Sequence, residues 1–144
     1  MKIEDVKNIA VIGAGNMGHQ LTVLCAMNGY NTTCTDVNPD ILKKAEVFAD
    51  DYLKERVKKG KLTEDEGESA RKRICFVPAL KEAVEKADYV IEAAVEKLEL
   101  KRKLFADMDT YAPEHAILST NSSRIVSSRI ADSTKRPGNV CNLH

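Results

Sequence analysis

The chain has no excess charge of either sign: 22 lysines and arginines face 22 aspartates and glutamates, and the formal charge over 144 residues is zero. Without a net basic field no nucleic-acid partner is expected. No uninterrupted apolar run reaches membrane-spanning length. The opening residues, Met1-Lys2-Ile3-Glu4-Asp5-Val6-Lys7, are charged at once and hold no apolar stretch of the kind a secretory leader needs. A cytoplasmic protein without a membrane partner is therefore expected. Cysteine is sparse: Cys25, Cys34, Cys75 and Cys141 form no C-x-x-C pair and fall in apolar contexts. They are expected to be core thiols, with no disulfide framework and no metal site. Asn31-Thr32-Thr33 and Asn121-Ser122-Ser123 match the glycosylation triplet, a chance match in a cytoplasmic protein. Repeats, low-complexity tracts and linkers are missing too, and the length is that of one domain with one respectable core.

Near the start of the chain stands Asn8-Ile9-Ala10-Val11-Ile12-Gly13-Ala14-Gly15-Asn16-Met17-Gly18, an apolar run closed by G-x-G-x-x-G. The residue types carry a mechanism. Gly13 permits a tight strand-to-helix turn, Gly15 has no Cβ to hold a pyrophosphate off the backbone, and Gly18 lets the new helix pack closely on the strand. The helix N-terminus beginning at Asn16 and Met17 offers free N–H groups and a partial positive charge to phosphates. Asp36 lies eighteen residues after Gly18, at the end of a second β-type run. A carboxylate there accepts hydrogen bonds from ribose hydroxyls and repels a 2′-phosphate, and no Arg or Lys follows among Val37, Asn38 and Pro39. NAD is favoured over NADP. At this point FAD remains open, and Asp36 also reads as a helix N-cap ahead of Pro39.

Along the chain, strands are expected at 8–12, 31–35, 74–77, 89–91, 116–119 and 140–141, with helices at 16–28, 39–59, 64–72, 79–86, 98–111 and 126–134. Met17, Leu21, Leu24, Cys25 and Met27 form the expected inner face of the first helix, and Leu100, Leu104, Phe105 and Met108 that of the helix from Leu98. Strands alternating with helices specify an α/β fold with a doubly wound, mostly parallel sheet of Rossmann type. The segment after the second strand is long enough for a helical pair, an arm over about 38–72. It carries Lys54, Arg56, Lys58, Lys59 and Lys61, which read either as a solvated helix end or as a basic arm for a phosphate-bearing substrate.

Four blocks, spread over nearly the whole chain, resemble the NAD-binding domain of the 3-hydroxyacyl-CoA dehydrogenases. They are Ile12 to Gly18; Ala87-Asp88-Tyr89-Val90-Ile91-Glu92-Ala93-Ala94-Val95-Glu96 running on to Phe105; Ala116-Ile117-Leu118-Ser119-Thr120-Asn121-Ser122-Ser123; and Thr134-Lys135-Arg136-Pro137 through Val140 to His144. The second and third blocks remove the FAD alternative. The resemblance implies oxidation of the 3-hydroxyl of an acyl-CoA thioester, with hydride passing to NAD. It puts the catalytic histidine at His144, the serine that binds the reacting oxygen at Ser123, the asparagine of the same loop at Asn121, and cofactor contacts at Glu96 and Lys101. The helical arm corresponds to the one that receives coenzyme A, where only Lys59 carries over.

The chain departs from the family pattern in three respects. The residues that follow the family's histidine, among them a glutamate that orients the imidazole, are not in these 144 residues. The helical C-terminal domain is absent as well. Arg124 stands beside Ser123 where a small polar residue is usual. The expectation is a cofactor half that binds NAD and turns over poorly alone, either shortened or completed by a partner chain or by self-association at the uncovered end of the sheet. A non-catalytic NAD-binding module and a related sugar-acid dehydrogenase are the alternatives.

Overall fold

A computed structural model describes residues 1–144. The strands are β1 (Asn8–Ile12), β2 (Asn31–Thr35), β3 (Ile74–Phe76), β4 (Tyr89–Glu92), β5 (Ile117–Thr120) and β6 (Val140–Asn142). The helices are α1 (Gly18–Met27), α2 (Pro39–Lys58), α3 (Glu64–Lys72), α4 (Leu80–Val84) and α5 (Leu98–Tyr111). The strands form one six-stranded sheet in the order β3-β2-β1-β4-β5-β6, and every pair is parallel. Strand order reverses between β1 and β4, which makes the carboxyl ends of these two strands the switch point where open α/β sheets bind ligands.

Alternation along β1 feeds two cores. Ala10 and Ile12 join Phe105, Met108 and Leu118 on one face of the sheet, while Ile9 and Val11 join Cys34, Leu42 and Ile91 on the other. No helix is long and apolar enough to cross a membrane. The arm is the expected helical pair. Thr63 and Glu66 form a reciprocal capping box at the start of α3, and Arg71 ion-pairs with Asp50 and Glu46 of α2.

The structure corrects several sequence expectations. The fully buried residues of α1 are Gly18, Thr22, Val23 and Ala26; of the expected inner face Leu21, Cys25 and Met27 are half-buried against the core, while Met17 and Leu24 are exposed. The cause is the glycine turn. A Cβ at Gly18 would lie 1.7 Å from the carbonyl oxygen of Gly13, and this approach fixes the rotational phase of the helix, so the small residues four apart follow it onto the sheet. In α5 the buried positions are Lys101, Phe105 and Met108, while Leu100 is exposed. The helix expected over 126–134 is instead a series of 3₁₀ turns, Ser127–Arg129 and Ala131–Ser133, followed by Pro137–Asn139. Arg136 anchors these turns by pairing with Asp109 and donating to carbonyls at the end of α5. Cys34 is buried, but Cys75 is exposed, because β3 is an edge strand that turns Ile74 inward and its neighbour out.

At the amino ends of the strands, Asp88 joins three segments. Its Oδ2 accepts from the main-chain N–H groups of Lys7 and Asn8, both at 2.9 Å, and its Oδ1 lies 2.8 Å from His115 Nε2. Burial raises its pKa, but the hydrogen bonds from His115, Lys7 and Asn8 outweigh this and leave the carboxyl below its ordinary value. A depressed carboxyl contributes stability that is present above the unfolded pKa, about 3.9, and is lost as pH falls through the folded value. Urea midpoints of Asp88→Ala should lie below wild type at neutral pH, and the gap should close as the pH is taken below the folded pKa. Gly18→Ala should cost about 1–3 kcal/mol in the same titration, the range for overpacked sites, because the opposing atom is backbone.

Candidate nucleotide and substrate site

The chain leaves β1 through Gly13, whose φ of 102° is open to glycine at little cost and strained for other residues. A Cβ there would also meet the Ala93 carbonyl oxygen at 2.7 Å. Gly15 differs: a Cβ at that position would meet nothing within 4 Å. Space therefore lies above Gly15, next to the first turn of α1. No hydrogen bond within the protein starts from the N–H of Gly15, Asn16 or Met17. Free amides, an open cradle and a helix N-terminus together fit a pyrophosphate.

Beyond the turn runs a groove of about 480 Å³ with Gly13, Gly15, Asp36, Ile41, Val95 and Leu100 among its walls. Asp36 stands at its edge. Its Oδ2 accepts from Ala14 N–H and its Oδ1 from Asn38 N–H, each at 2.8 Å. Asp36 is not a helix cap; that role falls to Asn38, whose side chain accepts from Asp40 and Ile41 at the start of α2. Bound to the glycine loop, the Asp36 carboxylate keeps lone pairs for ribose hydroxyls and sets a negative charge where a 2′-phosphate would sit. Leu100, outward-facing on α5, supplies apolar wall. The residues present fit an adenosine and pyrophosphate without a 2′-phosphate.

A second cavity, of about 410 Å³, shares Ala93 and Ala94 with the groove. Met17, Glu96, Lys101, Asn121, Ser123 and His144 stand around it. The structure thus brings together candidates drawn from the glycine turn ahead of α1, the β4–α5 connection, α5, the β5 end and the β6 end. Asn121 donates from Nδ2 to the Leu143 carbonyl at 2.8 Å, which ties the serine loop to the residue before His144. Asn142 accepts from Ser127 N–H at 2.7 Å and closes the same loop from the other side. Ser123 and His144 are exposed, and the Ser123 hydroxyl makes no hydrogen bond within the protein.

The serine that caps this loop is not Ser123 but its neighbour Ser122. The Ser122 hydroxyl donates to Glu96 Oε2 at 2.6 Å and accepts from Arg124 and Ile125 N–H at 3.2 and 2.8 Å. Lys101 is 1% exposed, with Nζ 2.6 Å from Glu92 Oε1 and 3.6 Å from Glu96 Oε1. Glu92, fully buried, is a member of the site that sequence reasoning missed. Its signal was present, as an acid ending an otherwise apolar strand. Lys59 stands apart: it pairs with Glu55 at 2.6 Å on the exposed end of α2 and lines neither cavity. His19 packs edge-on against Phe48, with centroids 4.3 Å apart. Arg124 is exposed and forms no ion pair.

A glycine turn, an acid after β2 and a groove at the switch point define a dinucleotide-binding domain of Rossmann type. The family model for the 3-hydroxyacyl-CoA dehydrogenase NAD binding domain matches residues 8–144, and the chain belongs to that family. Over 140 residues it is 37% identical to the 3-hydroxyadipyl-CoA dehydrogenase of Escherichia coli K12, covering 97% of this chain and 29% of that protein. It is 36% identical, also over 140 residues, to the probable 3-hydroxybutyryl-CoA dehydrogenase of Bacillus subtilis, covering 97% of this chain and 48% of that one. The solved structure of 3-hydroxybutyryl-CoA dehydrogenase from Escherichia coli K12 superposes with a TM-score of 0.92 at 37% identity, over 96% of this chain and 29% of the other. The chain thus spans half or less of the length of these relatives, and the domain it matches is the family's NAD-binding one.

If the space above Gly15 serves the pyrophosphate, filling it should leave the fold alone. Gly15→Val should keep its unfolding free energy in urea within the ~0.5 kcal/mol typical of surface changes, while NADH binding followed by nicotinamide fluorescence falls below detection.

Proposed function

We propose that the protein is the cofactor half of an NAD-dependent dehydrogenase acting on 3-hydroxyacyl-CoA substrates. The observation that carries the reading is the shared wall of Ala93 and Ala94. It lets a dinucleotide seated on the glycine turn reach into a cavity that also holds Ser123, Asn121 and His144.

NAD, when bound, supplies the hydride acceptor. The chain's own residues do the rest. Hydride does not leave the 3-carbon unless the hydroxyl proton is removed, and imidazole, with an ordinary pKa of about 6.5, is suited to this near neutrality. His144 is assigned that base. Ser123, its hydroxyl free, holds the substrate oxygen in line. Asn121 keeps the serine loop and the histidine strand together. Glu96 and Lys101 hold the nicotinamide end, and Asp36 the adenosine end. Lys59 is assigned to the phosphates of coenzyme A, which places that part of the substrate along the helical arm.

The relatives carry a further half or more of their length beyond what this chain covers. The cleft is completed by further protein, whether a continuation of this chain, a partner chain or a second copy meeting the open β6 edge. A cytoplasmic place of action belongs to the same proposal.

The test is a spectrophotometric assay with 3-hydroxybutyryl-CoA, run with NAD and with NADP. Weak turnover that prefers NAD is expected from the chain alone, with Asp36→Ala narrowing the preference by about tenfold, the effect of one lost charge-assisted contact. No NADH binding would refute the reading. Binding without turnover under any pairing would favour a non-catalytic module, and turnover of a sugar acid in place of the thioester would favour the related dehydrogenases.

A further inference from the structure

Beneath the two cavities lies a closed ring of polar contacts. Lys101 Nζ donates to Glu92 Oε1 at 2.6 Å, and Ala94 N–H donates to the same oxygen at 2.6 Å. The other oxygen of Glu92 accepts from Thr120 Oγ at 2.7 Å, and Thr120 Oγ in turn accepts from Ser122 N–H at 3.2 Å. Ser122 Oγ donates to Glu96 Oε2, and Glu96 Oε1 faces Lys101 Nζ again. The parallel register sets Glu92 beside Thr120 and so brings the ring together. Glu92 and Thr120 are fully buried, while Glu96 is 43% exposed at the rim.

Removing a carboxylate from water is costly, and a buried one is tolerated only when its oxygens are satisfied. Glu92 meets that condition with three donors from three segments: the β4–α5 connection, α5 and β5. Its satisfaction therefore depends on those segments keeping their mutual positions. Glu96, the exposed member of the ring, lines the second cavity together with Lys101 and Ser122, and its Oε2 holds the serine that caps the Ser123 turn.

We infer that Glu92 is a positioning residue. Through Lys101 and Thr120 it fixes both Glu96 and the turn from Ser122 to Ile125, so that dinucleotide binding and ordering of the Ser123 turn are coupled. This rests on the NAD-binding reading above. Glutamine at Glu92 can keep its oxygen toward Lys101 and Ala94, but its NH₂ then donates to Thr120 Oγ, which reverses that junction and removes the negative charge opposite Lys101. Thr120→Val opens the ring at the hydroxyl alone, and Thr120→Ser keeps it closed.

The test combines NADH titration by fluorescence with amide hydrogen exchange over residues 121–127, on the full chain and these variants. In wild type, NADH should slow exchange at Arg124 and Ile125. Glu92→Gln and Thr120→Val should each weaken NADH binding roughly tenfold, the low end of what outer-shell partners cost, and should abolish the NADH-dependent protection. Thr120→Ser should behave as wild type, an outcome that a purely structural role for the threonine methyl would not give. If Glu92→Gln does not fold, the two Thr120 variants decide alone. Equal affinity and equal protection in wild type and Thr120→Val overturn the inference. A wild-type chain that binds no NADH overturns the functional reading beneath it, a result distinct from the first.

Discussion

The contact between Gly18 and the carbonyl of Gly13 is the constraint on which the rest depends. It brings the first turn of α1 against the end of β1 more closely than any side chain permits. That approach sets the direction in which the free amides of the turn point, and it sets which side of α1 is buried. The helix then presents Gly18, Thr22 and Ala26 to the sheet and leaves Met17 at the mouth of the second cavity. One steric condition thus aims the free amides of the turn and supplies part of the wall of the neighbouring cavity.

Electrostatics complete what sterics begin. The chain as a whole is neutral, but the switch point is not featureless. Asp36, held by two main-chain N–H groups, sets negative charge at one end of the groove. At the other end Lys101 stands between Glu92 and Glu96, one ammonium facing two carboxylates. In a low-dielectric interior such a set is stable only with its hydrogen bonds made, and every one of them comes from a segment that borders the site. Packing and polar satisfaction therefore demand the same arrangement of β4, β5 and α5.

Most of the fold was legible because parallel α/β sheets announce themselves. Short β-branched runs such as Ile9-Ala10-Val11-Ile12 alternate with longer helical stretches, and glycines at positive φ, Gly13 and Gly29, end elements where expected. Helix faces were less legible. Counting apolar residues in α1 pointed to Leu24, while the tertiary contact at Gly18 turned it outward; in α5 the same count missed that the buried partner of Glu92 would be a lysine. Both errors have one physical source: periodicity reports average burial, whereas a glycine contact or a buried ion pair sets the phase of a helix locally. The 126–134 segment misled for a related reason, since its turns are held by Arg136 and Asn142 rather than by a helical apolar stripe. The glycine turn was legible because a backbone rule dictates its residues, as at Gly13 and Gly15. His144 was reached only through family resemblance, because an exposed histidine carries no periodic signal; Ser123 had beside it only its place just beyond a parallel strand end.

The most direct test of the account is an amide-resolved NMR titration of the chain with NADH. The account predicts saturable shifts centred on Gly15, Asn16 and Met17, extending to Asp36 and to the Ala93–Glu96 connection. Absence of saturable shifts, or shifts confined to the α2–α3 arm with the glycine turn unmoved, would contradict it.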